Sequence, residues 1–114
     1  MKINDFLQKI PHEVIAGQEF LDRKVKAGYC SDLLSRVMAH GPNNGVWITV
    51  QTHINIIAVA TLLEISCIII PENIPIDPST VQKAIEEEIV LISTPLQAFE
   101  LSGMLYEMGI GKQK

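Results

Sequence analysis

The sequence predicts an α/β fold: three layers, with a mostly parallel, mixed sheet of about five strands and helices on both faces. Three observations carry that prediction. From Val46 onward strand-like and helix-like segments alternate with short connections, the order that parallel strands joined by crossover helices produce. Val46-Trp47-Ile48-Thr49-Val50 is β-branched and apolar enough for a central strand, and Cys67-Ile68-Ile69-Ile70 is a continuous apolar run of the kind covered on both faces. Finally, 47% of the residues are apolar but only 5% are aromatic, so the core is aliphatic, which suits helix-on-sheet packing. At 114 residues the chain is long enough for one core and not two, and no linker, charge block, low-complexity tract or repeat divides it. Residues 1–114 are therefore expected to form a single domain.

The elements follow in chain order. Ile3, Phe6, Leu7 and Ile10 recur at helical spacing behind Asn4 as a cap, and Pro11 forbids continuation. Val14 to Ala16 reads as a strand closed by Gly17, and Val25 to Tyr29 as a second extended stretch. Ser31-Asp32 reads as a helix start, with Leu33, Leu34, Val37 and Met38 as the buried stripe and His40-Gly41-Pro42 as the stop. Pro42 to Gly45 is turn chemistry leading into the strand at Val46. Ile54 to Leu63 is a helix with no continuous polar face, which implies burial on more than one side. Asp77 caps a helix whose first residue is Pro78, and Glu86-Glu87-Glu88 closes it on a solvated side. Val90-Leu91-Ile92 is the last strand. Thr94-Pro95-Leu96-Gln97 has capping-box spacing and opens a final helix that runs to Met108 before Gly109.

Charge and motif content exclude several function classes. A net charge of -4 and an acidic isoelectric point near 5.2 argue against a nucleic-acid partner, which needs clustered Lys and Arg. The two cysteines, Cys30 and Cys67, read as free thiols of a reducing compartment; Cys30, beside a helix start, is the candidate for a reactive one. The amino-terminal residues contain no apolar leader core and no run is long enough to cross a membrane, so a soluble, cytoplasmic protein is expected. No phosphate-binding loop is present: Gly109-Ile110-Gly111-Lys112-Gln113 follows a helix and lacks the upstream glycine, and reads as a frayed end. His12, His40 and His53 have no partners at metal-ligand spacing; His40 suits a helix carboxyl end, and no nucleophile elbow occurs. No catalytic residue, metal or cofactor is assigned.

What remains is a row of polar, turn-forming residues beyond the expected strand ends. In open α/β sheets ligands bind there, against helix amino termini whose free amides favour negative charge. The candidate ligand-binding residues are Thr52, His53 and Asn55 at the start of one helix, and Ser93 and Thr94 at the start of another. If their strands are neighbours, the two helix starts converge on one groove, where hydroxyls and the imidazole meet phosphate or carboxylate oxygens. Thr94 as a plain helix cap, and His53 as a buried ring satisfied by a carbonyl, are the competing readings. Glu72 is read as a solvated loop residue.

Taken together, the Ser31-Asp32-Leu33-Leu34 helix start, the stretch Val46 to His53, the helix Asn55 to Leu63, the run Ile68-Ile69-Ile70 and Ile92-Ser93-Thr94-Pro95 resemble the DRTGG domain family. That family is similar in turn to the N-terminal domain of bacterial HPr kinase/phosphorylase. Gln51-Thr52-His53 stands where the name-giving Asp-Arg-Thr is expected, and Pro71-Glu72 where a glycine pair is expected. The resemblance implies an accessory, regulatory domain, with adenine-nucleotide binding in some members and no kinase activity without the kinase domain. The expectation is thus a non-catalytic regulatory domain that binds a small anionic ligand, an adenine nucleotide among the candidates. The alternative is a protein-interaction module docking on a larger enzyme or regulatory complex, and the third reading a small enzyme of unknown reaction. A homodimer is also expected, because one small core does not cover every side of the helix Ile54 to Leu63.

Overall fold

The computed structural model describes residues 1–111. Its elements are α1 (Ile3–Leu7), β1 (Glu13–Ala16), a 3-10 turn (Gln18–Phe20), β2 (Ala27–Cys30), α2 (Leu34–His40), β3 (Gly45–Ile48), α3 (Asn55–Leu63), β4 (Cys67–Ile70), α4 (Pro78–Glu86), β5 (Val90–Ser93) and α5 (Ala98–Glu107). The five strands form one sheet in the order β1-β5-β4-β3-β2. Four of them run parallel, and only β1 pairs antiparallel, against β5. The expected α/β class and the mixed, mostly parallel sheet are therefore found.

Period-two alternation sorts the strand side chains into two cores. Val46, Ile48, Cys67, Ile69, Val90 and Ile92 point to the face covered by Ile3, Phe6 and Leu7 of α1 and by Leu101 and Leu105 of α5. Trp47, Ile68, Ile70 and Leu91 point to the opposite face, under Val37 of α2, Ile56, Ile57, Val59 and Ala60 of α3 and Ala84 of α4. The three crossover helices thus share one face while α1 and α5 take the other. Every residue of β3 and β4 is buried, and each fully buried aliphatic side chain contributes about 1.5–3 kcal/mol relative to exposure.

Several element ends differ from the sequence reading, each for a local reason. In α1, Asn4 lies inside the helix; the Asp5 carboxylate accepts the Lys2 N–H at 2.8 Å, so the cap is made from within the first turn. Helix α2 starts at Leu34 and buries Val37, leaving Leu33 and Met38 exposed, because Asp32 is engaged elsewhere. Helix α4 starts at Pro78 behind Asp77, as read, although the Asp77 side chain makes no capping bond. Gly17 does close β1: it has φ +87°, and an added Cβ would lie 2.8 Å from the Val90 Cα, so both conformation and proximity require glycine. Past α5 the chain is not frayed as expected: the Ile110 N–H bonds to the Leu105 carbonyl at 3.2 Å and its side chain joins the α5-side core. Lys112 and Gln113 of that segment lie outside the described residues.

Candidate functional site

The carboxyl ends of β2, β3, β4 and β5 lie along one edge of the sheet, and hydrogen bonds between the loops that leave them define its geometry. At the β2 and β3 end, Asp32 is the anchor. Its Oδ1 accepts the Thr49 hydroxyl at 2.9 Å and the Val50 N–H at 2.8 Å, while its carbonyl accepts Gln51 Nε2 at 3.0 Å. The buried Trp47 ring donates its Nε1–H to the Ser31 carbonyl at 2.9 Å. These bonds stitch the β2–α2 loop to the β3–α3 loop. The sequence reading took Asp32 for a helix start; its true partners are 17 and 18 residues away, a pairing that no local pattern announces.

The next loop carries three of the five candidate residues. Thr52 is half-buried and its carbonyl accepts the hydroxyl of the buried Thr80 of α4 at 2.7 Å, which ties the start of α3 to α4. His53 and Asn55 are exposed, so His53 is not the buried, carbonyl-satisfied ring of the competing reading. The Ile56 and Ile57 amides close onto the His53 and Ile54 carbonyls at 3.2 and 3.0 Å. The first turn of α3 therefore spends part of its donor capacity on itself.

Ser93 and Thr94 stand apart from that group. In the sheet β4 lies between β3 and β5, and α3 and α5 pack on opposite faces, so the two helix starts do not converge on a shared groove. Thr94 is completely buried, and its hydroxyl donates to the Pro11 carbonyl at 2.7 Å while accepting the Leu96 N–H at 3.3 Å. It neither caps α5, which begins at Ala98 behind Gln97, nor presents its hydroxyl to solvent. Ser93 is half-buried at the end of β5.

Between β4 and β5 the chain diverges to opposite faces, the arrangement that opens a ligand crevice in doubly wound sheets. Here backbone bonds bridge it. Glu72 and Asn73, both left-handed at φ 63° and 53°, direct their N–H groups to the Leu96 and Thr94 carbonyls at 2.9 and 3.0 Å. Glu72 is exposed, as expected.

Hollows lie elsewhere on the molecule. One of about 580 Å³ sits at the opposite end of the sheet, among Arg23, Lys24, Glu64, Ser66, Glu87 and Glu88. Another of about 240 Å³ lies between edge strand β2 and α5, bounded by Gly28, Cys30, Ile48, Ser102 and Ile110. Burial pushes the Cys67 thiol far above its ordinary range, with the Arg23 charge opposing weakly, so this thiol stays protonated and unreactive; Cys30 is exposed. Among the described residues no three His, Cys, Asp or Glu side chains are grouped to hold a metal, and no helix is long and apolar enough to cross a membrane.

The fold and its strand-end loops place the chain among α/β domains built on a mostly parallel five-stranded sheet, and one solved structure gives that class a closer counterpart. The CBS and DRTGG domains of the regulatory region of Clostridium perfringens pyrophosphatase, in complex with the activator diadenosine tetraphosphate, match 91% of this chain with a TM-score of 0.71 at 16% identity. This chain spans 45% of the length of that one. The likeness is one of fold. No family model matches the sequence, and no curated protein matches it.

Proposed function

We propose that this chain is a DRTGG-type regulatory domain, without a catalytic centre, that senses a small anionic ligand beyond the carboxyl ends of its parallel strands. The observation that carries this reading is the shared fold with a regulatory region that holds a nucleotide activator. An adenine nucleotide is accordingly the first ligand to test. The likeness to the N-terminal domain of HPr kinase/phosphorylase and a cytoplasmic setting belong to the same reading.

At residue level the ligand meets the start of α3. Thr52, His53 and Asn55 offer a hydroxyl, an imidazole and an amide at the amino end of a nine-residue helix, whose dipole favours negative charge. Ser93 extends the polar row along the sheet edge. Thr94 has a supporting role through its bond to Pro11. Because Gln51-Thr52-His53 replaces Asp-Arg-Thr, recognition of phosphate here relies on neutral donors and the helix end instead of an arginine, which implies modest affinity.

The test is a thermal-shift and calorimetric titration with AMP, ATP, diadenosine tetraphosphate and inorganic phosphate. A ligand that binds only the native state at 100 times its Kd adds about 2.7 kcal/mol of stability. His53→Ala is expected to weaken binding at least about five-fold while leaving the unliganded melting point within about 1 °C, since an exposed ring contributes little to stability. Absence of any shift at millimolar ligand, or an affinity unchanged by His53→Ala together with Thr52→Val, removes the strand-end site.

A second reading, an interaction module, is favoured by one specific observation: Phe99 of α5 is 91% exposed.

A further inference from the structure

Strand β2 ends the sheet at one edge, and its side chains alternate between the two faces. Tyr29 packs with the core under α2 and α3, which leaves Gly28 and Cys30 to the face covered by α5. The backbone does not demand a glycine there: among the described residues the glycines with positive φ are Gly17, Gly109 and Gly111. Space does not demand it either, since an added Cβ would meet the Ile110 Cγ2 at 3.6 Å and the Val46 carbonyl oxygen at 3.8 Å, both ordinary contacts. Glycine inside a strand weakens it. What the missing side chain does at position 28 is leave open the hollow of about 240 Å³ between β2 and α5.

Two further observations characterise that hollow. Ser102 of α5 lines it, and the Ser102 Oγ is shut off from water with no hydrogen-bond partner among the described residues. A serine inside a helix commonly bonds back to a carbonyl of the preceding turn; without that bond or any other, a buried hydroxyl costs free energy that a bound group can return. Cys30 bounds the same hollow and is exposed, so the hollow reaches the surface on that side.

We propose that this hollow is a ligand site for a neutral heterocycle of one or two fused rings, which packs against Ile48, Leu105 and Ile110 and hydrogen-bonds the Ser102 hydroxyl through one ring nitrogen. Size sets the number of rings. An apolar cavity of about 150 Å³ holds benzene and pockets for drug-sized ligands run from roughly 300 Å³ upward, so 240 Å³ lies between the two. Polarity sets the rest. No charged side chain lines the hollow, so a phosphate or carboxylate entering it loses hydration without gaining a counter-charge, whereas an uncharged ring with a single polar atom satisfies the one orphan group. The site is independent of a ligand at His53, because α3 and α5 cover opposite faces of the sheet.

The test is an NMR titration of the isotope-labelled full chain with indole and with indene, which has the same shape and no N–H. Indole is expected to saturate with a dissociation constant below about 1 mM, shifting the amides of Gly28, Cys30, Ser102 and Ile110. Ser102→Ala is expected to weaken indole about five-fold and to leave indene unchanged, the signature of one lost hydrogen bond. Gly28→Met, whose flexible side chain fills the hollow, is expected to abolish binding of both without lowering the melting temperature, and His53→Ala to alter neither. As a second readout, indole slows alkylation of Cys30 by iodoacetamide, followed by intact mass, while the buried Cys67 stays silent. Circular dichroism of each variant verifies that it folds. The absence of a saturable shift up to about 2 mM indole overturns the proposal. So does a folded Gly28→Met chain that still binds, or a Ser102→Ala chain that loses indole and indene alike or neither.

Discussion

Cys67 opens β4 with its side chain completely buried, and that burial has a measurable consequence. Its folded-state pKa lies far above the ordinary 9.0, so the native chain keeps the proton at a pH where the unfolded chain releases it. The unfolded state then binds fewer protons than the native one, and stability falls as pH rises. The contribution is fully present below 9.0 and is lost above it by about 1.4 kcal/mol per pH unit. Denaturant melts between about pH 8 and 10.5 check this against Cys67→Ala, which starts less stable but loses that component of the slope. Residue-scale chemistry of this kind was only half legible. The reading of Cys30 and Cys67 as thiols needs only composition and position, whereas the Asp32 carboxylate anchoring Thr49 and Val50 arises from strand adjacency that no spacing encodes.

At the scale of elements, the carboxyl end of α3 carries an avoidable strain. Glu64 ends α3 at φ 56° and ψ 45°, a left-handed conformation that costs an L-residue about 1–2 kcal/mol, and it places negative charge where the helix dipole is already negative. Glu64→Gly is expected to raise stability by about 1 kcal/mol in urea denaturation, whereas Glu64→Ala gains only the few tenths that come from removing the charge. Equal effects from both substitutions would assign the gain to charge alone. The existence of the five strands and five α-helices was legible because the signals are local, while the 3-10 turn Gln18–Phe20 was not read: β4 spans Cys67–Ile70 as its apolar run indicates, and α4 begins at Pro78 behind Asp77. The start of α5 was not. Thr94 and Gln97 have capping-box spacing, but the Thr94 hydroxyl finds a tertiary acceptor at Pro11, 83 residues away, and the helix begins at Ala98.

Over the whole molecule, the succession of parallel strands was readable from alternation, and the candidate site only in part. Thr52, His53 and Asn55 do gather at one helix start, but the convergence with Ser93 and Thr94 required β3 and β5 to be neighbours, and strand order is decided by which faces bury best, not by sequence order. The segment after α5 was misjudged for a similar reason: Gly109 and Gly111 both have positive φ, the mark of a chain end in local terms, yet Ile110 between them is 5% exposed within the core. Ile110→Ala is accordingly expected to cost about 2 kcal/mol by chemical denaturation, and a cost under about 0.5 kcal/mol would mean that the segment contributes no anchoring.

The pairing of β1 with β5 sets the order of events when the chain folds. Glu13 lies opposite Ser93 and Val14 opposite Ile92, so the first strand made is completed by the last. A nascent chain on the ribosome can assemble β2, β3 and β4 with their crossovers in sequence, each closing a short loop at small entropic cost. It cannot seat β1 until β5 has emerged, and until then the apolar edge of β4 stands open. Joining such distant segments is the slow class of folding step, so this final closure is expected to limit the refolding rate, and a loosened β1–β5 pairing, as in Val14→Ala, is expected to change the unfolding rate more than a loosened pairing of β2 with β3 does.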